Sequence, residues 1–315
     1  MEANYLRENQ MKNNIPRIAV LLSTYNGEKF LDQQLHTLNC QKDVNITLFV
    51  RDDNSKDKTL DILKKWSDKI EIKLIKSSKN LGPAKSFWKL VKSVGLDFDY
   101  YALCDQDDLW DKDKLITACI NMKDINEACL YFCAERTINS DNKVLDDGTG
   151  DKIILTLESE IVCGYCPGCA LVVNTPLMRI IQGQNYKNLP MHDIVFIWTA
   201  FALGKVIYDP NPHFSRRVHA NNVVARKGKG RITLLKNYVK KICKKNNCPL
   251  DDFTKEFLES INEKDTVKID LKSLETLAEY KKIKNRFKIL KDSRYVSSNR
   301  RGLLSFRIQL LLGKL

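Results

Sequence analysis

Short apolar runs rich in β-branched residues alternate with amphipathic stretches through the first 120 residues. Ile18–Ser23, Ile46–Val50, Ile70–Ile75 and Tyr100–Leu103 have the length and composition of buried strands. Between them, Glu28–Cys40, Thr59–Trp66, Pro83–Val94 and Lys112–Met122 carry apolar residues at the helical period; in the first, Phe30, Leu31, Leu35 and Leu38 share one face. Strands alternating with helices predict right-handed crossovers and a mainly parallel sheet covered on both sides. Beyond Asp111 the pattern loosens. Strands are predicted at Leu130–Cys133, Ala170–Val173 and Val206–Tyr208, with a loop over Asn139–Gly150 and a Pro-broken loop over Asp209–Pro212. Helices are predicted to open at Thr175-Pro176 and to span Asp193–Leu203, ending at Gly204. The run Ile194–Leu203 is the longest apolar stretch, and it is far short of the roughly 20 residues a membrane-spanning helix needs. It predicts a buried helix, with Phe196, Trp198, Phe201 and Leu203 as core.

In open α/β sheets ligands sit where strands end and helices begin, and three such ends here carry chemistry. Ser23-Thr24-Tyr25-Asn26-Gly27 leads into a helix N-terminus, whose free amides and dipole favour an anion such as a diphosphate. Arg51-Asp52-Asp53-Asn54-Ser55-Lys56-Asp57 places two carboxylates directly after a strand, where they can accept from a pyrimidine N–H or a ribose hydroxyl; Ser55 or Asp57 can cap the next helix. Cys104-Asp105-Gln106-Asp107-Asp108-Leu109-Trp110 puts three carboxylates in four residues, which repel one another unless protons or a cation compensate. Such oxygen ligands suit Mg²⁺ or Mn²⁺. Neither a GxGxxG fingerprint nor a Walker A loop occurs, which argues against a dinucleotide site or an ATP-hydrolysing P-loop.

Composition changes the picture mainly at the C-terminal end. The net charge of +13 is concentrated from Arg226 to Leu315, where 24 Lys and Arg face 10 Asp and Glu. Nucleic acid or anionic lipid are both physically reasonable partners for such a segment. Within it, Arg294–Leu315 mixes Arg300, Arg301 and Arg307 with Leu303, Leu304, Phe306, Ile308, Leu310, Leu311 and Leu312, a combination suited either to an anionic membrane surface or to burial against the rest of the chain. The polar start, Met1–Pro16, lacks a secretory h-region, and ten cysteines in 315 residues do not resemble a disulfide framework, so a reducing cytoplasm is the expected compartment. Cys163, Cys166 and Cys169 have cluster-like spacing, but Val173 stands where a fourth cysteine would fall.

Taken together, Ile18–Gly27, Arg51–Asp57, Asn80-Leu81-Gly82 and Cys104–Trp110 have the order and spacing found in family 2 glycosyltransferases, and the form of the Cys104–Trp110 segment is similar to rhamnosyltransferase-like enzymes of bacterial surface-polysaccharide synthesis. The resemblance covers about residues 16 to 225. It implies an inverting enzyme of the GT-A fold, Rossmann-like and mainly parallel with helices on both faces. It implies transfer of rhamnose or a hexose from a UDP- or dTDP-sugar to a carbohydrate or polyprenyl-diphosphate-linked acceptor. Ser23, Tyr25, Asp52, Asp53 and Asp105 would then bind the nucleotide-sugar, and Asp107 and His219 the metal, Mn²⁺ or Mg²⁺. Met191-His192-Asp193 matches the family's acidic motif, so Asp193 would be the general base, with His192 replacing the usual acidic neighbour. His219 lies in Arg217-Val218-His219-Ala220-Asn221-Asn222, which resembles the family's downstream basic element.

The expected organisation is a polar extension over 1–15, a catalytic domain over 16–225, and a basic helical region over 226–315 that is a candidate for peripheral contact with the inner face of a membrane. A sugar-phosphate nucleotidyltransferase is the rival enzyme, releasing pyrophosphate in place of a nucleoside diphosphate. A basic nucleic-acid-binding protein is the non-enzymatic rival, and it leaves the clustered carboxylates at three separate turns unexplained; no nucleic-acid partner is expected.

Overall fold

The computed structural model describes residues 15–149, 153–219, 250–262 and 267–315. One mixed sheet organises them. Strands β1 (Arg17–Thr24), β2 (Asn45–Asp52), β3 (Glu71–Lys76) and β4 (Tyr100–Cys104) form its parallel half, in the order β3-β2-β1-β4. Helices α1 (Leu31–Asn39), α2 (Thr59–Trp66) and α3 (Pro83–Ser93) are the crossovers. Strand β1 is central and buried on both faces, hence its unbroken apolar run. Strand β3 lies at the edge, and its Lys73 and Lys76 keep that edge charged.

The second half mixes directions. Helix α4 (Lys114–Met122) leads to β6 (Cys129–Ile138), which lies between β8 (Leu171–Asn174), antiparallel, and β9 (Lys205–Arg217), parallel. Strand β8 joins the halves by pairing antiparallel with β4. The two-residue strand β5 (Leu109–Trp110) pairs with the end of β9, and β7 (Val144–Asp146) with the end of β6.

The sequence pattern understates this half. Strand β9 continues through the Pro-punctuated segment where a loop is predicted, because two register shifts opposite Cys133–Arg136 absorb the extra residues. Proline is tolerated at a bulge, where no ladder N–H is required. Part of the predicted 139–150 loop forms β7. In the parallel half, predicted strand and helix positions agree with the structure to within a few residues.

Helix α5 (Leu157–Cys163) is capped by Thr156, α6 (Thr175–Gly183) by Asn174, and α7 (His192–Leu203) is buried nearly all round, as its uniform apolarity predicts. The basic region adds α8 (Leu250–Asn262), α9 (Leu271–Ala278), α10 (Ile283–Lys291) and α11 (Arg300–Leu312). These share a continuous apolar core with the sheet. Trp198 of α7 lies 5.2 Å from Phe253 and 5.5 Å from Phe257, ring centre to ring centre. Burying each such side chain contributes about 1.5–3 kcal/mol. No described helix is long and apolar enough to cross a membrane.

Candidate active site

The carboxyl ends of β1, β2 and β4 are adjacent in register, with Ser23 opposite Arg51 and Leu22 opposite Cys104. Their turns, the 164–169 loop, the start of α7 and the end of β9 enclose a cleft of about 890 Å³. That is within the range of about 300–1,000 Å³ typical of small-molecule and cofactor sites. Ser23, Tyr25, Asp53, Asp105, Asp107, Asp193 and His219 all line it. Seven of the eight site residues expected from the sequence therefore meet in one place.

The exception is Asp52. Its carboxylate accepts from the Thr24 hydroxyl at 3.1 Å, the Ser55 amide at 3.0 Å and the Ser55 hydroxyl at 2.5 Å, and it is not among the cleft-lining residues. The expected nucleotide contact is thus a residue that shapes the turn. Asp53 is also heavily engaged: it pairs with buried Arg51 and accepts from the amides of Leu81 and Gly82 at 2.8–2.9 Å. These bonds draw the Asn80–Gly82 turn against the cleft, with Gly82 at φ 77°.

Gln106 ties the first and fourth strand ends together. Its side chain accepts from the Tyr25 amide at 2.9 Å and donates to the Tyr25 carbonyl at 3.1 Å. A Cβ on Gly27 would lie 2.4 Å from the Gln106 oxygen, so glycine admits this clamp.

The three-carboxylate turn is also held by Arg217, which is fully buried; the sequence placed it at the head of the basic element without giving it a role. Its amide donates to Asp108 at 3.0 Å and its Nε to the Asp107 carbonyl at 2.8 Å. Its guanidinium reaches the Asn139 carbonyl, the Asn142 side chain and Gln33 Oε1, and lies 4.5 Å over the Phe30 ring. Two residues on, His219 Nε2 meets Asp107 Oδ2 at 2.7 Å, and its ring lies 5.0 Å from Phe30. The β5–β9 pairing makes this possible by bringing the end of β9 alongside the turn after β4. Ala220–Asn222, the rest of the basic element, lie outside the described residues.

Electrostatically the turn is under-compensated. Burial, then Asp107, then Asp193 push the Asp105 carboxyl up to about 7. Burial, then Asp107, then Asp105 push Asp108 well above the ordinary range, and its Oδ2 is buried without a hydrogen-bond partner. A divalent cation would relieve this crowding, so the residues present fit one. Asp107 and His219 would hold it on the cleft side, and Asp105, Asp108 and Cys169 also present ligand atoms within 4.8 Å of one another.

Asp193 opens α7, in contact with the amides of Ile194 and Gly168, and burial pushes its carboxyl up to about 6. Beside it, His192 is buried and stacked on Phe87 at 3.9 Å between ring centres. Burial lowers its pKa to about 3, which keeps the ring neutral. Gly168 passes so close that a Cβ there would meet His192 Nε2 at 2.5 Å. The neutral ring of His192, stacked on Phe87, therefore stands where the family usually has a second acidic group. Arg216 and Glu135, paired through two 2.8 Å bonds, complete the wall, and the sequence pattern offered no signal for either.

The family model for glycosyl transferase family 2 matches residues 19–179. The chain belongs to that family. A curated relative, the dTDP-rhamnosyl transferase RfbG of Shigella flexneri, is 31% identical over 259 residues, covering 73% of this chain and 85% of that protein. An uncharacterized glycosyltransferase of Haemophilus influenzae is 34% identical over 106 residues, covering 32% of this chain and 40% of its own. Among solved structures, S. aureus TarS (residues 1–349) in complex with UDP aligns over 94% of this chain and 81% of its own, with TM-score 0.57 and 17% identity. The mannosyltransferase PcManGT from Pyrobaculum calidifontis, solved with GDP-Man and Mn²⁺, aligns over 99% and 95%, with TM-score 0.57 and 15% identity. At such identities the likeness shows the fold, and the mixed α/β sheet with its parallel half is that of GT-A glycosyltransferases.

Proposed function

We propose that this family 2 glycosyltransferase moves a sugar, rhamnose first among the candidates, from a dTDP- or UDP-sugar to a saccharide or polyprenyl-diphosphate-linked acceptor, with inversion at the anomeric carbon. The observation that carries the proposal is the shared cleft: the Asp107–His219 pair and the Asp193 carboxyl open on it together, at the strand ends of a family 2 chain. The rhamnose and dTDP assignments rest on the relative from Shigella flexneri.

Ser23, Tyr25 and Asp53 form the nucleotide side, where the exposed Tyr25 ring offers a stacking face and the Asp53 turn closes the edge. Asp107 and His219, with Asp105 nearby, would hold the divalent cation, Mn²⁺ or Mg²⁺. A bound cation supplies charge that offsets the negative charge gathering on the departing diphosphate. Asp193 accepts the proton of the acceptor hydroxyl as that oxygen attacks. A carboxyl near 6 is ionised at neutral pH yet more basic than an ordinary aspartate, which suits that task. The His192–Phe87 stack leaves Asp193 the sole carboxylate of its motif. Peripheral contact with the inner face of a cell membrane belongs to the same reading, since a polyprenyl-linked acceptor resides there.

Thermal shift with UDP, dTDP, GDP and their sugar conjugates, with Mn²⁺, Mg²⁺ or EDTA, tests the donor half. A ligand that binds only the folded state raises the midpoint according to its affinity. The proposal expects a cation-dependent shift with one nucleoside diphosphate. No shift with any conjugate under any condition refutes it.

A further inference from the structure

We infer that α10 and α11 together form a docking face for an anionic lipid surface, with half of the apolar C-terminal stretch turned inward and only the outer half available to lipid. The inference rests on the lipid-linked acceptor of the proposed function and adds where the membrane lies.

The inner sides of the two helices are spoken for. Phe306 and Leu310 of α11 and Ile289 of α10 are buried, and Phe306 stacks on Tyr295 at 5.8 Å. The outer sides are not. Ile283 and Phe287 of α10 are 67% and 54% exposed, and Leu304, Leu311 and Leu312 of α11 are 60%, 51% and 53% exposed. These belong to one surface, because Arg286 Nη1 donates to the Leu311 carbonyl at 3.0 Å and so fastens the middle of α10 to the end of α11.

Basic residues are interleaved with that apolar set. Lys284, Lys288 and Lys291 on α10, and Arg300, Arg301 and Arg307 on α11, are all exposed. From Lys281 to Leu315 the chain holds eleven Lys and Arg against one acidic residue, Asp292, which is itself bound by Arg294. Exposed large apolar side chains within a field of one sign are matched by an anionic bilayer interface, which takes the apolar groups into its acyl boundary and the cations among its headgroups. A soluble partner protein would need a dense acidic surface to do the same.

The face also has a structural route to the cleft. Helix α11 crosses α5 at Gly302, where a Cβ would lie 2.3 Å from Cys163 Sγ, and Ser297 bonds the same sulfur at 3.0 Å. Helix α5 runs directly into the 164–169 loop that borders Asp193. The helix pair that carries the face is thus joined, through α5, to the loop that borders Asp193.

The test is co-sedimentation of the full chain with vesicles of pure phosphatidylcholine and of phosphatidylcholine with 30% phosphatidylglycerol, at low and high salt. Binding only to the anionic vesicles, weakened by salt, is expected. Lys284→Glu with Lys288→Glu and Arg307→Glu should weaken it by more than about 100-fold, at about fivefold per basic residue near an anionic surface. Phe287→Ser with Leu304→Ser and Leu311→Ser should weaken it by about tenfold or more. All six positions are exposed and outside the cleft, so transfer to a water-soluble acceptor should persist in both variants. That readout keeps docking separate from the sugar-transfer reading. Equal binding to both vesicle types, no loss in either variant, or a wild-type chain that is dimeric in solution and turns monomeric in the serine variant would overturn the inference.

Discussion

Replacing Asp193 by asparagine should raise stability at neutral pH while abolishing transfer. Burial lifts the Asp193 carboxyl from the ordinary aspartate value of 3.8 to about 6. A folded-state pKa above the unfolded one means that the folded chain prefers the protonated form. Its contribution to stability is complete below pH ~3.8 and is lost as pH rises through about 6. At 1.36 kcal/mol per unit the full difference is about 3 kcal/mol, and the carboxyl borders an open cleft, so about 2 kcal/mol is a fairer figure. Asparagine keeps an oxygen for the Ile194 and Gly168 amides and carries no charge to desolvate. The variant should therefore melt about 4 °C higher at pH 7.5, and the gain should shrink to about a quarter of that near pH 4, where the wild-type carboxyl is itself protonated. Calorimetry of both proteins across pH 4–8 in EDTA reads this directly. A gain that is the same at pH 4 and 7.5, or a variant less stable at pH 7.5, would refute the reasoning.

For the wild type, kcat/KM should rise tenfold per pH unit below about 6 and level off above it, because the base must be ionised; a profile flat from pH 5 to 8 would contradict that role. Arg217→Lys should lower stability by about 2–4 kcal/mol, since one ammonium cannot serve Gln33, Asn139, Asn142 and the Asp107 carbonyl together. It should also weaken Mn²⁺ binding by loosening His219, as titration calorimetry would show. Gly204→Ala places a Cβ 2.4 Å from the Ala128 carbonyl oxygen, in backbone that cannot yield, and should cost about 2 kcal/mol in thermal unfolding with donor affinity unchanged.

The parallel half of the fold was legible because β1, β2 and β4 centre on continuous apolar runs, the edge strand β3 interleaves apolar and charged residues, and each crossover helix has a clear face. The second half was less so. Strand β9 carries two prolines, and only its pairing with β6 shows that bulges accommodate them. The same pairing explains why the site was only partly readable. Carboxylates at strand ends announce themselves locally, so Asp53, Asp105 and Asp107 could be singled out from the pattern, whereas Asp193, in the first turn of α7, was singled out only through the family resemblance. Arg217 opens the basic element that was recognised for His219, but it acts through contacts with residues up to 184 positions away, and no local pattern reveals those partners. Asp52 shows the converse limit: adjacent carboxylates at a strand end point to opposite sides, and the one turned from the cleft is consumed by Ser55 and Thr24. The apolar residues of Arg294–Leu315 divide between core and surface, a division that helical periodicity alone did not assign because apolar positions occur all round α11.

The account turns on sugar transfer with Asp193 as base, and product analysis tests it most directly. Wild type and Asp193→Asn are incubated with dTDP- and UDP-sugars, Mn²⁺ and an acceptor analogue, and the released nucleotide and the anomeric configuration of the product are read by NMR. The account predicts nucleoside diphosphate and an inverted product, with the rate in Asp193→Asn lower by about 10²–10⁴ and donor binding retained. Pyrophosphate as the product, a retained configuration, or undiminished turnover in Asp193→Asn would contradict it.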